Sequence, residues 1–282
     1  MLPLDEYIKR QLGEHLEQLE KLLKTDFMAI VSPIVPGIDG RVRDVLELKK
    51  EKQSNLTIML DTPGGVVEVV ARMVDTIRFH YQGVDFIIPD RAMSVGTIFA
   101  MSGDRIFMDY FSCLGPIDPQ IEKENRLVPA LAYLKQFEKL NEKAAKGELT
   151  SAEFALIQKM DPGELYQFEQ AKELSTTLLK KWLSEYKFKN WQTTETGKLP
   201  VTKEMKEQRA KEIADQLSEI DKWHSHGIGI NMRTLREELN LRIEDFGENR
   251  ELQRAVKEYF ELLRDYLARQ EWRYFVHTKE LF

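Results

Sequence analysis

Apolar residues recur along the chain with two different spacings, and the alternation of these spacings predicts a sheet flanked by helices. Helical spacing, with charges between the apolar positions, predicts a helix over residues 5–24 and a last helix over roughly 249–269. Short apolar runs bounded by turn residues suit buried strands at 27–31, 56–60, 84–88 and 105–108. Helical patterns lie between them at about 41–52, 66–77 and 94–102. This alternation is typical of βαβ units, so we expect an α/β fold with a parallel sheet over residues 27–122.

Residues 123–222 have a different character. Helix-forming residues and charges of both signs dominate this stretch, which is typical of solvated helices. We expect a long helical insertion here, with a loop at 190–201, and a further short helix at about 232–239. The expected organisation is therefore an N-terminal helix over 1–25, a core domain over 26–246 and a C-terminal helical extension over 247–282.

Composition excludes several classes of protein. The 282 residues include 41 Lys+Arg and 47 Asp+Glu, a formal net charge of −6, which argues against a surface that binds nucleic acid. The single cysteine, Cys113, excludes a disulfide framework and favours a reducing compartment, so we expect a cytoplasmic protein in which Cys113 is a small buried residue. No run approaches the roughly 18 consecutive apolar residues of a membrane-spanning helix, and no signal peptide is apparent.

Residues that could take part in catalysis follow two neighbouring strands. Thr62-Pro63-Gly64-Gly65 comes after one strand, and Ser94 opens the helix after the next. Ligands bind at the carboxyl ends of strands in open parallel sheets. Backbone N–H groups of a Gly-Gly pair can stabilise an oxyanion, and an exposed serine at the same edge can act as a nucleophile. A simple turn, and a helix N-cap at Ser94, would explain the same residues. Neither a dinucleotide fingerprint nor a P-loop is present, so we expect no cofactor and no ATPase activity in this chain.

Three segments in order carry a more specific signal. They are Asp61-Thr62-Pro63-Gly64-Gly65, Ala92-Met93-Ser94-Val95-Gly96-Thr97 and Leu114-Gly115-Pro116-Ile117-Asp118-Pro119-Gln120. These segments resemble the signature of the serine dehydrogenase proteinase family, a branch of the ClpP/crotonase-like serine peptidases that is related more distantly to signal peptide peptidase SppA. The resemblance implies a ClpP/crotonase-like parallel-sheet core and the hydrolysis of peptide bonds through an acyl-enzyme.

The resemblance also implies a role for each matched position. Ser94 would be the nucleophile, and the N–H groups of Gly65 and Val95 would hold the oxyanion. The family's order of Ser, Asp and His is met by Ser94, Asp118 as the residue that orients the base, and His226 as the base. Asp118 could instead simply stabilise a rigid turn. Two nearby carboxylates outside the matched segments are alternatives to it, namely Asp104 and Asp109.

Alternatives to His226 as the base stay open. His224 is the reserve, and a His224–His226 metal pair lacks an obvious third ligand. The SppA branch uses Ser-Lys dyads, for which Lys143 and Lys146 are candidates, although solvated lysines on a charged helix are the simpler interpretation. The remaining histidines have structural interpretations: His80 ends a helix, and His15 and His277 are expected at the surface.

These observations lead to one main hypothesis and a rival. We expect a cytoplasmic serine peptidase that acts on peptides or proteins, uses no metal or cofactor, binds no nucleic acid, has no integral membrane segment and forms a homo-oligomer. Any unfolding motor would be a separate partner protein. The rival is a catalytically silent ClpP-like scaffold or oligomeric interaction protein.

Overall fold

The apolar runs form strands that lie side by side in the computed structural model. It describes residues 3–117, 120–123, 126–194, 197–225 and 227–282, with only the backbone for residues 3, 120–123, 126–129 and 220. The strands are β1 (Asp26–Val31), β2 (Asn55–Asp61), β3 (Gly83–Ile87), β4 (Arg91–Ala92), β5 (Arg105–Met108), β6 (Cys113–Leu114), β7 (Gln120–Lys123), β8 (Arg126–Pro129), β9 (Ile230–Asn231), β10 (Glu244–Asp245) and β11 (Phe275–His277).

Helices make up most of the remaining described chain. They are α1 (Pro3–Leu23), α2 (Ile38–Leu48), α3 (Val67–His80), α4 (Val95–Met101), α5 (Ala130–Ala145), α6 (Ser151–Ile157), α7 (Pro162–Trp182), α8 (Lys203–Leu217), α9 (Ile220–Trp223), α10 (Met232–Glu237) and α11 (Arg250–Gln270). A π-helical turn over Leu183–Lys187 extends α7, and a 3-10 turn over Phe246–Glu248 precedes α11. Among the described helices, none combines the length and apolar character needed to span a bilayer.

The central sheet has the strand order β10-β5-β3-β2-β1-β11. Neighbouring strands are parallel except at one edge, where β11 runs antiparallel to β1. The predicted α/β fold with a parallel sheet is therefore confirmed. A second sheet, β4-β6-β9, lies beyond the carboxyl end of β3, and β7 pairs with β8 in a hairpin. The hairpin strand β8 falls within a stretch for which the sequence predicted helices.

Both faces of the central sheet are covered. Successive residues of a strand point to opposite faces, so in β1 the side chains of Phe27 and Ala29 pack under α1 and α11, whereas Met28 and Ile30 pack towards α2, α3 and α4. Helices α7 and α8 of the predicted insertion pack into the second of these cores, with Trp182 from α7 and Ile213 from α8. The long helical stretch thus contributes to the main core as well as to the solvated surface.

Two predictions about single residues are wrong, those for Cys113 and His277. Cys113 is half-buried because it lies in the small sheet of two-residue strands, outside the central core, and this partial burial raises the pKa of its thiol. His277 is not at the surface: it is 2% exposed, because β11 pairs with β1 beneath α11. The Tyr259 hydroxyl lies 2.7 Å from its Nδ1, and burial lowers the pKa of His277 to about 4.

Burial of His277 predicts a specific loss of stability in acid. The pKa falls from 6.5 in the unfolded chain to about 4 in the folded protein, so the unfolded state binds the proton more tightly. The stabilisation is full above pH 6.5 and disappears as the pH falls through about 4, a change on the order of 3 kcal/mol. His277→Gln, whose amide can still accept from Tyr259, should therefore flatten the fall in unfolding free energy between pH 7.5 and 4.5 in urea titrations.

The control for this experiment is His15→Gln, which removes a histidine from the partly exposed face of α1. An equal flattening in both variants would contradict the assignment to His277.

Candidate active site

Two loops at the carboxyl edge of the central sheet are joined through Thr62. Its backbone N–H donates to the carbonyl of Arg91 at 3.0 Å, and its carbonyl accepts from the N–H of Met93 at 3.0 Å. The Thr62 hydroxyl is buried and accepts from the N–H of Gly64 at 3.1 Å. The loop after β2 is therefore fixed against the segment that leads into α4, as the positions of the two motifs at neighbouring strand ends predicted.

The close contacts of the loop after β2 require glycine at positions 64 and 65. A Cβ at Gly64, where φ is +105°, would lie 2.9 Å from the carbonyl oxygen of Met93 and 3.0 Å from the Cβ of Ser94. Gly65 has φ +152°, and a Cβ there would lie 2.0 Å from the carbonyl oxygen of Ile34. The two glycines thus allow backbone to approach backbone, and also provide φ values that other residues rarely adopt.

Ser94 has the backbone conformation of a strained strand-to-helix turn. Its φ of +52° and ψ of −119° lie outside the regions that non-glycine residues normally occupy. Such a conformation costs about 1–3 kcal/mol and is found where the surrounding structure imposes it. Ser94 is 2% exposed, and its side chain makes no capping hydrogen bond to α4, so the N-cap interpretation does not explain its position. A sharp turn between a strand and a helix is the geometry that presents a serine nucleophile in other hydrolase folds.

Two backbone N–H groups beside Ser94 are available as donors. Val95 provides the first N–H of α4. Gly65 comes directly after Gly64, which is the residue packed against Met93. Within the described part of the chain, neither N–H donates to a protein acceptor, whereas the N–H groups of the next residues, Val66 and Gly96, both donate to carbonyls. Backbone donors at this edge of the sheet can stabilise negative charge on a bound carbonyl.

Thr97 holds the surroundings of Ser94 in place. Its hydroxyl lies 2.9 Å from the carbonyl of Ala92 and 2.8 Å from that of Gly115, and it accepts from the N–H of Gly115 at 2.9 Å. A Cβ at Gly115 would lie only 2.9 Å from the backbone nitrogen of Ser94. Gly115 of the third matched segment is therefore packed directly against the serine.

The expected Asp118 and His226 both lie outside the described residues. Their described neighbours belong to segments that meet beside the serine: Leu114 of β6 pairs with Ile230 of β9 in antiparallel register, and β6 in turn pairs with β4. The reserve candidate, His224, is exposed and has φ +57°. The described parts of these segments are thus consistent with the family's order of Ser, Asp and His. The roles of Asp118 and His226 themselves stay predictions.

The alternative carboxylates and lysines are engaged elsewhere. Asp104 forms ion pairs with Arg78 and Lys189, and Asp109 accepts hydrogen bonds within its own turn. Lys143 donates to Glu153 at 2.5 Å on the α5–α6 surface.

His80 and Lys146 occupy positions that do not favour a catalytic role. Lys146 is exposed. His80 lies in the last turn of α3, about 20 Å along the helix from the end beside Gly65. No three His, Cys, Asp or Glu side chains converge as metal ligands in the residues that the structure describes.

Asp61 is a site residue that the sequence did not single out, although it begins the first matched segment. It ends β2, and its Oδ1 is buried without a hydrogen-bond partner among the described residues. Burial, together with the charge of the neighbouring Asp90, raises the pKa of Asp61 to about 6. A carboxyl group that changes charge near neutral pH therefore lies at the base of the Gly64–Gly65 loop.

The close contact at Gly65 predicts a large effect of a single methyl group. Gly65→Ala should destabilise the protein by about 2 kcal/mol or more, because the φ is unfavourable for alanine and the added Cβ would overlap the Ile34 carbonyl. Gly40→Ala is the matched control, since no atom lies within 4 Å of a Cβ at this position in α2. Thermal denaturation should show a lower Tm for the first variant and an unchanged or higher Tm for the second. Equal Tm values would contradict the described packing.

The chain is similar to known proteins in sequence and in structure. Two uncharacterised proteins of Methanocaldococcus jannaschii are similar to the chain: MJ0137 is 30% identical over 147 residues, covering 48% of this chain and 49% of the relative. MJ1495 is 28% identical over 140 residues, covering 46% and 47%. The chain spans about half the length of the curated relatives it matches.

Solved structures of a membrane-bound stomatin-specific protease, 1510-N, are also similar. A mutant in complex with a substrate peptide matches with a TM-score of 0.45 and 13% identity, over 77% of this chain and 72% of that one. A second mutant matches with a TM-score of 0.44 and 11% identity, over 77% and 76%.

The decisive match is to a family model. The model of the ClpP-like SDH-type serine proteinases matches residues 42–199, more than half of the chain, and this range includes the Gly64–Gly65 loop, Ser94 and Gly115. The chain therefore belongs to the ClpP-like SDH-type serine proteinase family.

Proposed function

We propose that the chain is a serine peptidase in which Ser94 is the nucleophile. The observation that carries the proposal is the strained turn at Ser94, beside the N–H groups of Gly65 and Val95. A backbone that holds an unfavourable φ at a serine, next to two N–H groups that have no acceptor among the described residues, is expected where an acyl group is bound and transferred.

The proposed reaction has two halves. Ser94 Oγ attacks the carbonyl carbon of the peptide bond while its proton passes to the base, and the resulting oxyanion accepts from the N–H groups of Gly65 and Val95. Breaking of the C–N bond releases the amine, which takes the proton from the base and leaves an ester on Ser94. Water then attacks the ester by the same route and releases the acid.

We propose His226 as the base and Asp118 as the residue that orients it. Support comes from the order of the matched segments and from the meeting of β6 and β9 next to β4. The lysine alternative has less support, because Lys143 is engaged by Glu153 in an ion pair on the α5–α6 surface.

The substrate class, the location and the assembly of the protein are also proposed from the sequence. We propose peptide or protein substrates, a cytoplasmic location, an ATP-independent reaction in this chain and assembly into a homo-oligomer. The apolar faces of α1 and α11 cover the sheet of their own protomer, so contacts between copies would use other surfaces.

Labelling with a fluorophosphonate probe tests the nucleophile. The unchanged protein should react with one equivalent of probe, and Ser94→Ala should abolish the reaction, because the probe bonds only to an activated serine oxygen. Ser54→Ala, which removes an exposed serine hydroxyl before β2, should label as the unchanged protein does. Labelling that persists in Ser94→Ala would refute the role of Ser94, whereas a folded, unreactive parent protein would favour the silent scaffold.

The base is tested by comparing two histidines that are two positions apart. His226→Ala should slow probe labelling by at least about 10²-fold, because general-base assistance contributes on the order of 10²–10⁴. His224→Ala is the control and should change the rate less than threefold. The reverse pattern would assign the base to His224, and equal rates in both variants would favour a base other than histidine.

A further inference from the structure

A groove runs along α11 at the same edge of the central sheet as Ser94. It has a volume of 780 Å³ and lies between α11 and the loop that follows β5. Its α11 wall includes four basic residues at helical spacing, Arg250, Arg254, Lys257 and Arg264, together with Glu261 and Phe260, and Asp109 lies on the opposite side. The opposite wall includes Pro89, Tyr110 and Phe111. This α11 groove is not used by the reaction proposed above.

The groove continues towards the catalytic segments. Arg264 also lines a second depression, of 250 Å³, whose other wall contains Pro63 and Arg91. In the sequence, Pro63 is two residues from Gly65, and Arg91 is three residues from Ser94. A polypeptide that lies in the groove can therefore extend to the backbone segments that carry the proposed nucleophile and oxyanion donors.

The charge in the groove is positive although the whole chain is acidic. Lys257 and Arg264 have carboxylate partners, Glu261 at 3.8 Å and Asp90 at 2.9 Å. Arg250 and Arg254 are exposed and take part in no ion pair among the described residues. Two guanidinium groups without carboxylate partners are thus directed to solvent at one end of the groove, where a bound carboxylate would complete charge-assisted hydrogen bonds.

Exposed aromatic rings face this charge. Tyr110 is 84% exposed and Phe111 is 64% exposed. The turn that carries them is held from below: Asp109 accepts from the N–H groups of Phe111 and Ser112, at 2.9 and 3.1 Å. The rings therefore project from a turn that is fixed by hydrogen bonds. They can contact apolar side chains of a bound segment while the neighbouring arginines bind its carboxylates.

We propose that the α11 groove binds an acidic segment of the substrate polypeptide that also carries aromatic residues, outside the bond that is cleaved. This proposal rests on the proposed peptidase function and narrows its substrates to chains with such a segment. Carboxylates of the segment pair with Arg250 and Arg254, and its aromatic side chains contact Tyr110 and Phe111.

Binding is measured separately from cleavage. The probe is a fluorescein-labelled twelve-residue peptide with six glutamates and two phenylalanines, and the protein carries Ser94→Ala so that the probe is not consumed. Fluorescence anisotropy should show binding that weakens as salt rises, because the contacts are between exposed charges. Adding Arg250→Ala and Arg254→Ala should raise the Kd at least tenfold, and so should replacing the glutamates of the probe by glutamine.

A charge-matched control separates the groove from the net charge. Arg233→Ala with Arg242→Ala also removes two exposed arginines, but these lie outside the groove, so the Kd should stay within twofold. Equal weakening by both pairs of substitutions would overturn the proposal. So would Arg250- and Arg254-dependent binding to vesicles of phosphatidylglycerol and phosphatidylcholine with no binding of the peptide, or an altered oligomeric state with unchanged peptide binding.

Cleavage gives an independent arm in protein that retains Ser94. We compare kcat/KM for a substrate peptide with a glutamate-rich extension and for the same peptide with glutamine in place of glutamate. The ratio of the first value to the second should exceed ten in the parent protein. It should fall to about one in the Arg250→Ala, Arg254→Ala protein. If Ser94 takes no probe while the acidic peptide binds through the arginines, the peptidase proposal fails and the groove stands as a peptide-binding site. If Ser94 reacts but the ratio is one in the parent protein, the groove proposal alone fails.

Discussion

The Gly64–Gly65 loop lies in direct contact with the backbone of Met93 and Ser94, and this contact sets the spacing of the whole candidate site. A side chain on either glycine would push the loop away from its neighbours, since an added Cβ would lie 2.9 Å from the Met93 carbonyl oxygen at Gly64 and 2.0 Å from the Ile34 carbonyl oxygen at Gly65. The N–H of Gly65 and the hydroxyl of Ser94 come from different βα units. Their relative position therefore depends on packing between backbones, which leaves less freedom than packing between side chains.

Two buried threonines maintain this arrangement. The backbone N–H and carbonyl of Thr62 join the loop to the segment before Ser94, and its hydroxyl accepts from the N–H of Gly64. The Thr97 hydroxyl joins α4 to the segment around Gly115. Both are enclosed in the core, where a hydrogen bond is difficult to replace with water. The strain at Ser94 is retained because these bonds fix the residues on both sides of it. The stability of the surrounding fold is thus coupled to the conformation of one residue.

Much of the fold could be predicted from the sequence because its signal is local. Helical and strand spacings placed α1, β1, β2, α3, β3 and α11 to within a few residues, and turn residues marked the loops that carry Gly65 and Ser94. The short strands β4, β6 and β9 could not be found in this way, since two residues have no periodicity and pair only through the tertiary fold. His277 was misplaced for the same reason: its partner strand β1 is distant in sequence, so no neighbouring residues indicate its burial. The roles of Asp118 and His226 stay predictions.

The conformation of Ser94 also has a consequence for the evolution of such proteins. Glycine adopts a φ of +52° without steric cost, so on grounds of folding alone glycine is preferred to serine at this position. Selection for a more stable fold and selection for a reactive hydroxyl therefore act in opposite directions on one codon. A lineage released from the need for catalysis would relieve the backbone strain by the same substitution that removes the nucleophile.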